Sequence, residues 1–196
     1  MSVRDTQTGV GLIEVMVALL LLTVAVLGYS ALQVQAIKAT NESFERTQSL
    51  VMMRNIAEKI HANPDSISIY ETQINLSTNS TPNKKCGLDG QAVTTAAFCT
   101  PAELARAESF YIKTDLANYD FEVQMHPCPN TGGSGASAAS NIMFSYCLIS
   151  AWGLTTPTIG EDEDVDCLTN RVSENNVVTE AGGRYHPKST CMMMEI

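Results

Sequence analysis

The chain is poor in aromatic residues (6%, with Trp152 its one tryptophan) and in positive charge, with 12 Lys and Arg against 21 Asp and Glu. The resulting net charge of −9 and pI near 4.7 argue against a nucleic-acid surface, which is normally basic. Lys84-Lys85 is the only adjacent basic pair and is too small to form such a surface. There is no G-x-S-x-G motif, and the three histidines have no nucleophile–base context. Phosphate loops and dinucleotide fingerprints are missing too. These absences point to a non-catalytic chain that needs no cofactor. Cysteine does not occur before Cys86, internal repeats are absent, and between Val15 and Leu27 the only polar side chain is Thr23.

That uninterrupted apolar run is the most informative stretch present. Extended from Val10 to Leu32 it is long enough to cross a bilayer, which takes about 20 residues. A cleaved secretory signal would have a basic start, a shorter apolar core and a small-residue cleavage site behind it. Here Asp5 balances Arg4, the core is long, and Leu27-Gly28-Tyr29-Ser30-Ala31 makes a poor site. One carboxylate, Glu14, stands at the head of the run. An acid in the middle of a membrane helix costs about 2.5–3.5 kcal/mol on insertion scales and less near the interface, so its position implies a task. At 196 residues, the remainder can form one domain of ordinary size.

Thr8-Gly9-Val10-Gly11-Leu12-Ile13-Glu14-Val15 resembles the prepilin signal of type IV pilins. In that family the leader is cut after a glycine and the acid is the fifth residue of the mature chain. The resemblance implies cleavage between Gly9 and Val10 by a prepilin peptidase and N-methylation of Val10, which stands where Phe or Met is usual. It also makes Glu14 the acid that pairs with a neighbouring subunit's amino terminus. Two further blocks, Arg54-Asn55-Ile56-Ala57-Glu58-Lys59-Ile60-His61-Ala62-Asn63 and Cys99-Thr100-Pro101-Ala102-Glu103-Leu104, resemble segments of minor pilins of the PilV type. What they imply is a minor pilin that primes type IV pilus assembly with other minor pilins and the major pilin, at or near the pilus tip with a tip adhesin. It would sit in the inner membrane of a Gram-negative bacterium, N-terminus cytoplasmic, and later in the surface filament. A minor pseudopilin of type II secretion and a membrane-tethered binding module that never polymerises are the alternatives.

Downstream, the helical period continues through Ile37, Phe44 and Val51 and then Met53, Ile56 and Ile60, an amphipathic stripe that Asn63-Pro64 stops. Gly28-Tyr29-Ser30 is the expected place for a bend or local melting. The segment 65–120 carries few strong signals apart from Thr100-Pro101-Ala102-Glu103, a capping box with proline at the first helical position. Alternation predicts strands at Phe121–Met125 and Ile142–Leu148, and further strands at Asn176–Thr179 and Cys191–Ile196. The expected fold is α+β, of the type IV pilin kind. A long N-terminal helix, its first half transmembrane, would pack its second half on an antiparallel sheet of about four strands. The boundaries are a leader 1–9, a membrane helix 10–32, an amphipathic helix 33–63 and a disulfide-rich periplasmic head 64–196.

Six cysteines in an exported domain read as disulfides. They allow 15 connectivities. On nearness alone the pairs are Cys86–Cys99, Cys128–Cys147 and Cys167–Cys191. Glu161-Asp162-Glu163-Asp164-Val165-Asp166 has the oxygens for calcium but no turn glycine or terminal bidentate acid, so a solvated acidic loop is the favoured reading. His126 with Cys128 and His186 with Cys191 suit zinc by residue type, but bridged cysteines are the expectation and no metal site is assigned. Met192-Met193-Met194 reads as alternating core positions of an edge strand, and Trp152 as the cap of a core strand.

Overall fold

The structure is a computed structural model. It describes residues 11–90, 98–128, 145–169, 172–174, 177–179 and 183–196. The chain divides into two compact units, Met1–Phe44 and Glu45–Ile196. The described part of the first is helical throughout and belongs to α1 (Leu12–Ala62), which contributes its later turns to the second. Gly28-Tyr29-Ser30 does not melt α1. The helix is unbroken there, and the Ser30 hydroxyl donates to the Val26 carbonyl at 2.9 Å.

In the second unit α1 presents Ser49, Met53, Ile56 and Ile60 to the core, all at 2% exposure or less. Ile37, Phe44 and Val51, expected on the same stripe, are instead exposed (Val51 at 62%). The reason is angular: at 3.6 residues per turn Val51 lies about 200° around the helix from Met53. The seven-residue spacing and the following three- and four-residue spacings therefore mark two faces, not one.

Helix α1 ends at Ala62 because the next residue, Asn63, precedes Pro64 and leaves the helical region (φ −138°, ψ 61°). Pro64 then opens a new turn of 3-10 helix (Pro64–Ser66) that feeds α2 (Ile67–Asn75). A proline that closes one helix is well placed to start the next, because its φ is preset and the N–H it lacks is not needed there. Helix α3 (Pro101–Ala117) starts on the expected capping box: Glu103 N–H donates to the Thr100 hydroxyl at 3.3 Å and Thr100 N–H to Glu103 Oε2 at 2.9 Å.

Three strands form the main antiparallel sheet in the order β1 (Phe121–Pro127), β2 (Tyr146–Trp152), β8 (Cys191–Glu195). About four strands were expected in it. The difference is Val177–Thr179, which pairs with Val172–Glu174 in a separate hairpin, β5–β6. The expected positions Ile142 and Phe144 lie outside the described residues. A second sheet, β3 (Thr156–Gly160), β4 (Asp166–Thr169) and β7 (Arg184–Tyr185), includes a parallel pair, β3 with β4.

The layers follow from which side chains each face of the main sheet presents. Phe121, Val123, Met125, Leu148 and Trp152 share one core with Met53, Ile56 and Ile60 of α1, Tyr70 and Ile74 of α2, and Ile112 and Leu116 of α3. On the opposite face Ile149, Ala151 and Cys191 pack against Cys167 and Leu168 of the second sheet. Strand β2 is thus covered on both faces, which is why it reads Cys147-Leu148-Ile149-Ser150-Ala151-Trp152 rather than alternating polar and apolar residues. Cys86–Cys99, Cys128–Cys147 and Cys167–Cys191 are the disulfides, with Cα separations of 5.7, 4.9 and 5.9 Å. The last of them ties the two sheets together.

Candidate functional site

Helix α1 begins immediately after Gly11, whose carbonyl accepts from Glu14 N–H at 2.9 Å and Val15 N–H at 3.4 Å. Glu14 is therefore an exposed first-turn acid, where the unpaired amide groups of a helix favour negative charge. Behind it the side chains from Leu12 to Leu32 are all exposed, Leu12 at 79% and Leu27 at 70%. The most apolar 18-residue window of the helix has a mean hydropathy of 2.4, so by length and composition it can cross a membrane.

Its few hydroxyls are compatible with hydrocarbon. Thr23 donates to the Leu20 carbonyl at 2.8 Å, Ser30 to Val26 at 2.9 Å and Thr40 to Ala36 at 2.9 Å. With the backbone bonded within the helix, the hydroxyls of Thr23 and Ser30 both have an internal partner. What remains is an apolar rod with one acid at its start. Such a surface has two ways to be covered, by lipid or by other helices. Gly9 and Val10, the expected cleavage and methylation positions, lie outside the described residues.

The other sequence candidates become structural in the fold. Cys128 and Cys191 are in disulfides and offer no thiolate to a metal beside His126 or His186. His186 Nε2 lies 3.2 Å from the Gly160 carbonyl, and His126 Nε2 lies 3.3 Å from that of Pro157. The acidic segment is the return connection between β3 and β4. The Asp166 carboxylate accepts from the Thr158 hydroxyl at 2.5 Å and from Asp162 N–H at 3.0 Å. Asp162 accepts from Asp164 N–H at 3.0 Å, and Lys188 holds Asp164 at 2.6 Å. The Lys188 ammonium keeps the Asp164 carboxyl below its ordinary range. Among the described residues no group of three or more His, Cys, Asp or Glu is placed to hold a metal ion. Met192 and Met194 face the helical core, Met193 faces the second sheet, and Trp152 closes β2 edge-to-face against Phe121 at 5.7 Å.

Three anchoring contacts were missed in the sequence. Tyr70 of α2, fully buried, donates its hydroxyl to Glu108 of α3, and Lys59 of α1 approaches the same carboxylate at 3.9 Å. Burial first, then Glu108, raises the Tyr70 phenol. The Asn63 side chain donates to the Pro101 carbonyl at 2.8 Å. Together they fix the end of α1 to both following helices. The available hint was the Ile67, Tyr70, Ile74 spacing of three and four, which marks α2 as a helix with a core face.

Residues 31–110 match the family model Tt1218-like, Type IV pilin Tt1218. The match supports a type IV pilin. It begins in the middle of α1 and ends within α3, so it covers the end of the exposed rod and the helical layer of the head. No curated protein and no solved structure matches the chain. The α+β architecture, with its long apolar N-terminal helix followed by an antiparallel sheet, is consistent with the type IV pilin fold. The exposed helix and the match suit a chain that is anchored in a membrane and then assembled with other pilins.

Proposed function

We propose that the chain is a minor pilin of the PilV kind, which primes type IV pilus assembly with other minor pilins and occupies the tip region, where it presents an adhesin. The observation that carries this reading is Glu14, the single charged residue in the wholly exposed stretch from Leu12 to Leu32 of α1, five residues beyond Gly9. In a bundle of such helices an acid of one subunit and the amino terminus of the next stabilise each other in a low dielectric. Either alone is penalised, so the pair selects one axial register. That requires Val10 to carry a free amino group, hence peptidase cleavage after Gly9, with the methylation that follows. The role is structural rather than catalytic. Insertion with the N-terminus cytoplasmic in the inner membrane of a Gram-negative cell, and export of the head to the oxidising periplasm, fit the placement of all six cysteines beyond α1.

The first test is the mature N-terminus, by mass spectrometry of protein from native membranes with and without prepilin peptidase. Peptidase-dependent N-methyl-Val10 is expected, and an uncut start or a cut beyond Leu32 sinks the reading. Glu14→Ala should leave processing and insertion intact yet reduce incorporation into pili several-fold in sheared-pilus immunoblots. Co-purification with pilus rather than type II secretion components separates a pilin from a pseudopilin.

A further inference from the structure

Strand β1 lies at one edge of the main sheet, and the register fixes where its unused backbone groups point. Tyr146 and Ile196 exchange both backbone hydrogen bonds (3.3 and 2.8 Å), so residues 146, 148, 150 and 152 bond toward β8 and residues 147, 149 and 151 toward β1. On β1, therefore, Glu122, Gln124 and His126 bond inward, while Phe121, Val123 and Met125 turn their N–H and C=O groups outward. Met125 is met there by Asn75, the last residue of α2. The Asn75 carboxamide donates to Met125 O and accepts from Met125 N–H, both at 2.8 Å. One side chain thus supplies the pair of bonds that a residue of an added strand would supply.

The next outward residue, Val123, has no such partner among the described residues. It lines a cleft of about 430 Å3 bounded by Leu76, Ser77 and Asn79 after α2, by Lys113 and Ala117 of α3, and by Pro157. The Lys113 ammonium donates to the Leu76 carbonyl and meets no carboxylate among the described residues. Partial burial holds it below the ordinary lysine range, the mark of a cation lacking a counter-charge.

We propose that this cleft binds an extended segment of another protein chain, which adds to β1 at Val123 through backbone hydrogen bonds and sets one carboxylate against Lys113. Strand addition to an open edge gains its affinity from main-chain bonds and its selectivity from the flanking side chains. Here the selectivity element is Lys113. A second copy of this chain is disfavoured by its net charge of −9, which sets two heads against each other. The inference stands apart from the filament reading, since it uses no residue of the apolar rod.

The test uses the full chain, 15N-labelled in detergent micelles, and the C-terminally amidated probe peptide acetyl-Thr-Val-Thr-Val-Asp-amide, whose only carboxylate is the Asp side chain. Saturable slowing of Val123 amide exchange is expected, about ten-fold tighter than with the Asn-terminated twin. A twin of the Asp peptide N-methylated at every backbone nitrogen, unable to donate, should fail. Lys113→Gln, with Leu148 and Ile149 exchange unchanged as the check on folding, should erase the Asp-over-Asn preference. The proposal is overturned if no peptide slows Val123 at about millimolar concentration, or if Asp and Asn peptides bind the wild type equally. It is equally overturned if raising the concentration of the chain itself gives the same protection, which makes a second copy the occupant.

Discussion

Gly160 has no room for a side chain. A Cβ there would stand 2.1 Å from Asp166 Oδ2 and 2.6 Å from its Cγ, so the carboxylate lies directly on the glycine backbone. Gly160→Ala must expel Asp166, losing its bonds to the Thr158 hydroxyl and Asp162 N–H at a cost of about 1–3 kcal/mol in urea unfolding. In an Asp166→Ala background the same change should cost much less, a coupling that a double-mutant cycle reads directly. His126 gives the second residue-scale prediction. Burial holds its pKa below the usual 6.5, against the opposing effects of the Pro157 carbonyl and Glu71. The folded chain therefore binds fewer protons than the unfolded one. Stability from this group is complete above about pH 6.5 and declines as the pH falls from there toward the folded pKa. Thermal melts between pH 7.5 and 5 should show that decline in the wild type and a shallower one in His126→Gln.

At the scale of elements, local chemistry was legible and tertiary partnership was not. The capping box at Thr100 and the stop at Asn63-Pro64 are decided within a few residues, and both stand in the structure as read. Whether Val51 or Met53 faces the core depends on what packs against α1, and the periodic run contains apolar residues on both faces. Helix α2 was hidden because Pro64 was read only as a terminator. Strands β3 and β4 are short, and their parallel pairing rests on a return loop that was read only as a solvated acidic loop. Asn75 and Tyr70 act on Met125 and Glu108, far along the chain, and no spacing announces such contacts. Glu14 was legible as the one acid at the head of the apolar run, whereas the open position at Val123 follows only from the register. Ser49 supplies a prediction for α1: its hydroxyl is fully buried without a hydrogen-bond partner among the described residues. Ser49→Ala removes an unsatisfied group and improves helix propensity, so stability should rise by about 1 kcal/mol in chemical denaturation.

For the head as a whole, the decisive strand is β2, which holds the helical layer on one face and the second sheet on the other. The Cys167–Cys191 bridge, spanning 24 residues, fastens the second sheet to β8 beside it. Replacing both cysteines by alanine should cost about 3 kcal/mol by the loop-closure argument, lowering the urea midpoint and steepening the slope as the uncrosslinked unfolded chain exposes more surface. Each bridge joins cysteines that are neighbours in sequence, 86 with 99, 128 with 147, and 167 with 191. A head drawn across a membrane from the end next to α1 delivers its thiols one at a time, and in this order each second arrival finds only its own partner waiting. An oxidant acting at the exit can therefore build the whole native set in order of emergence, with no mispaired bond to reshuffle afterwards.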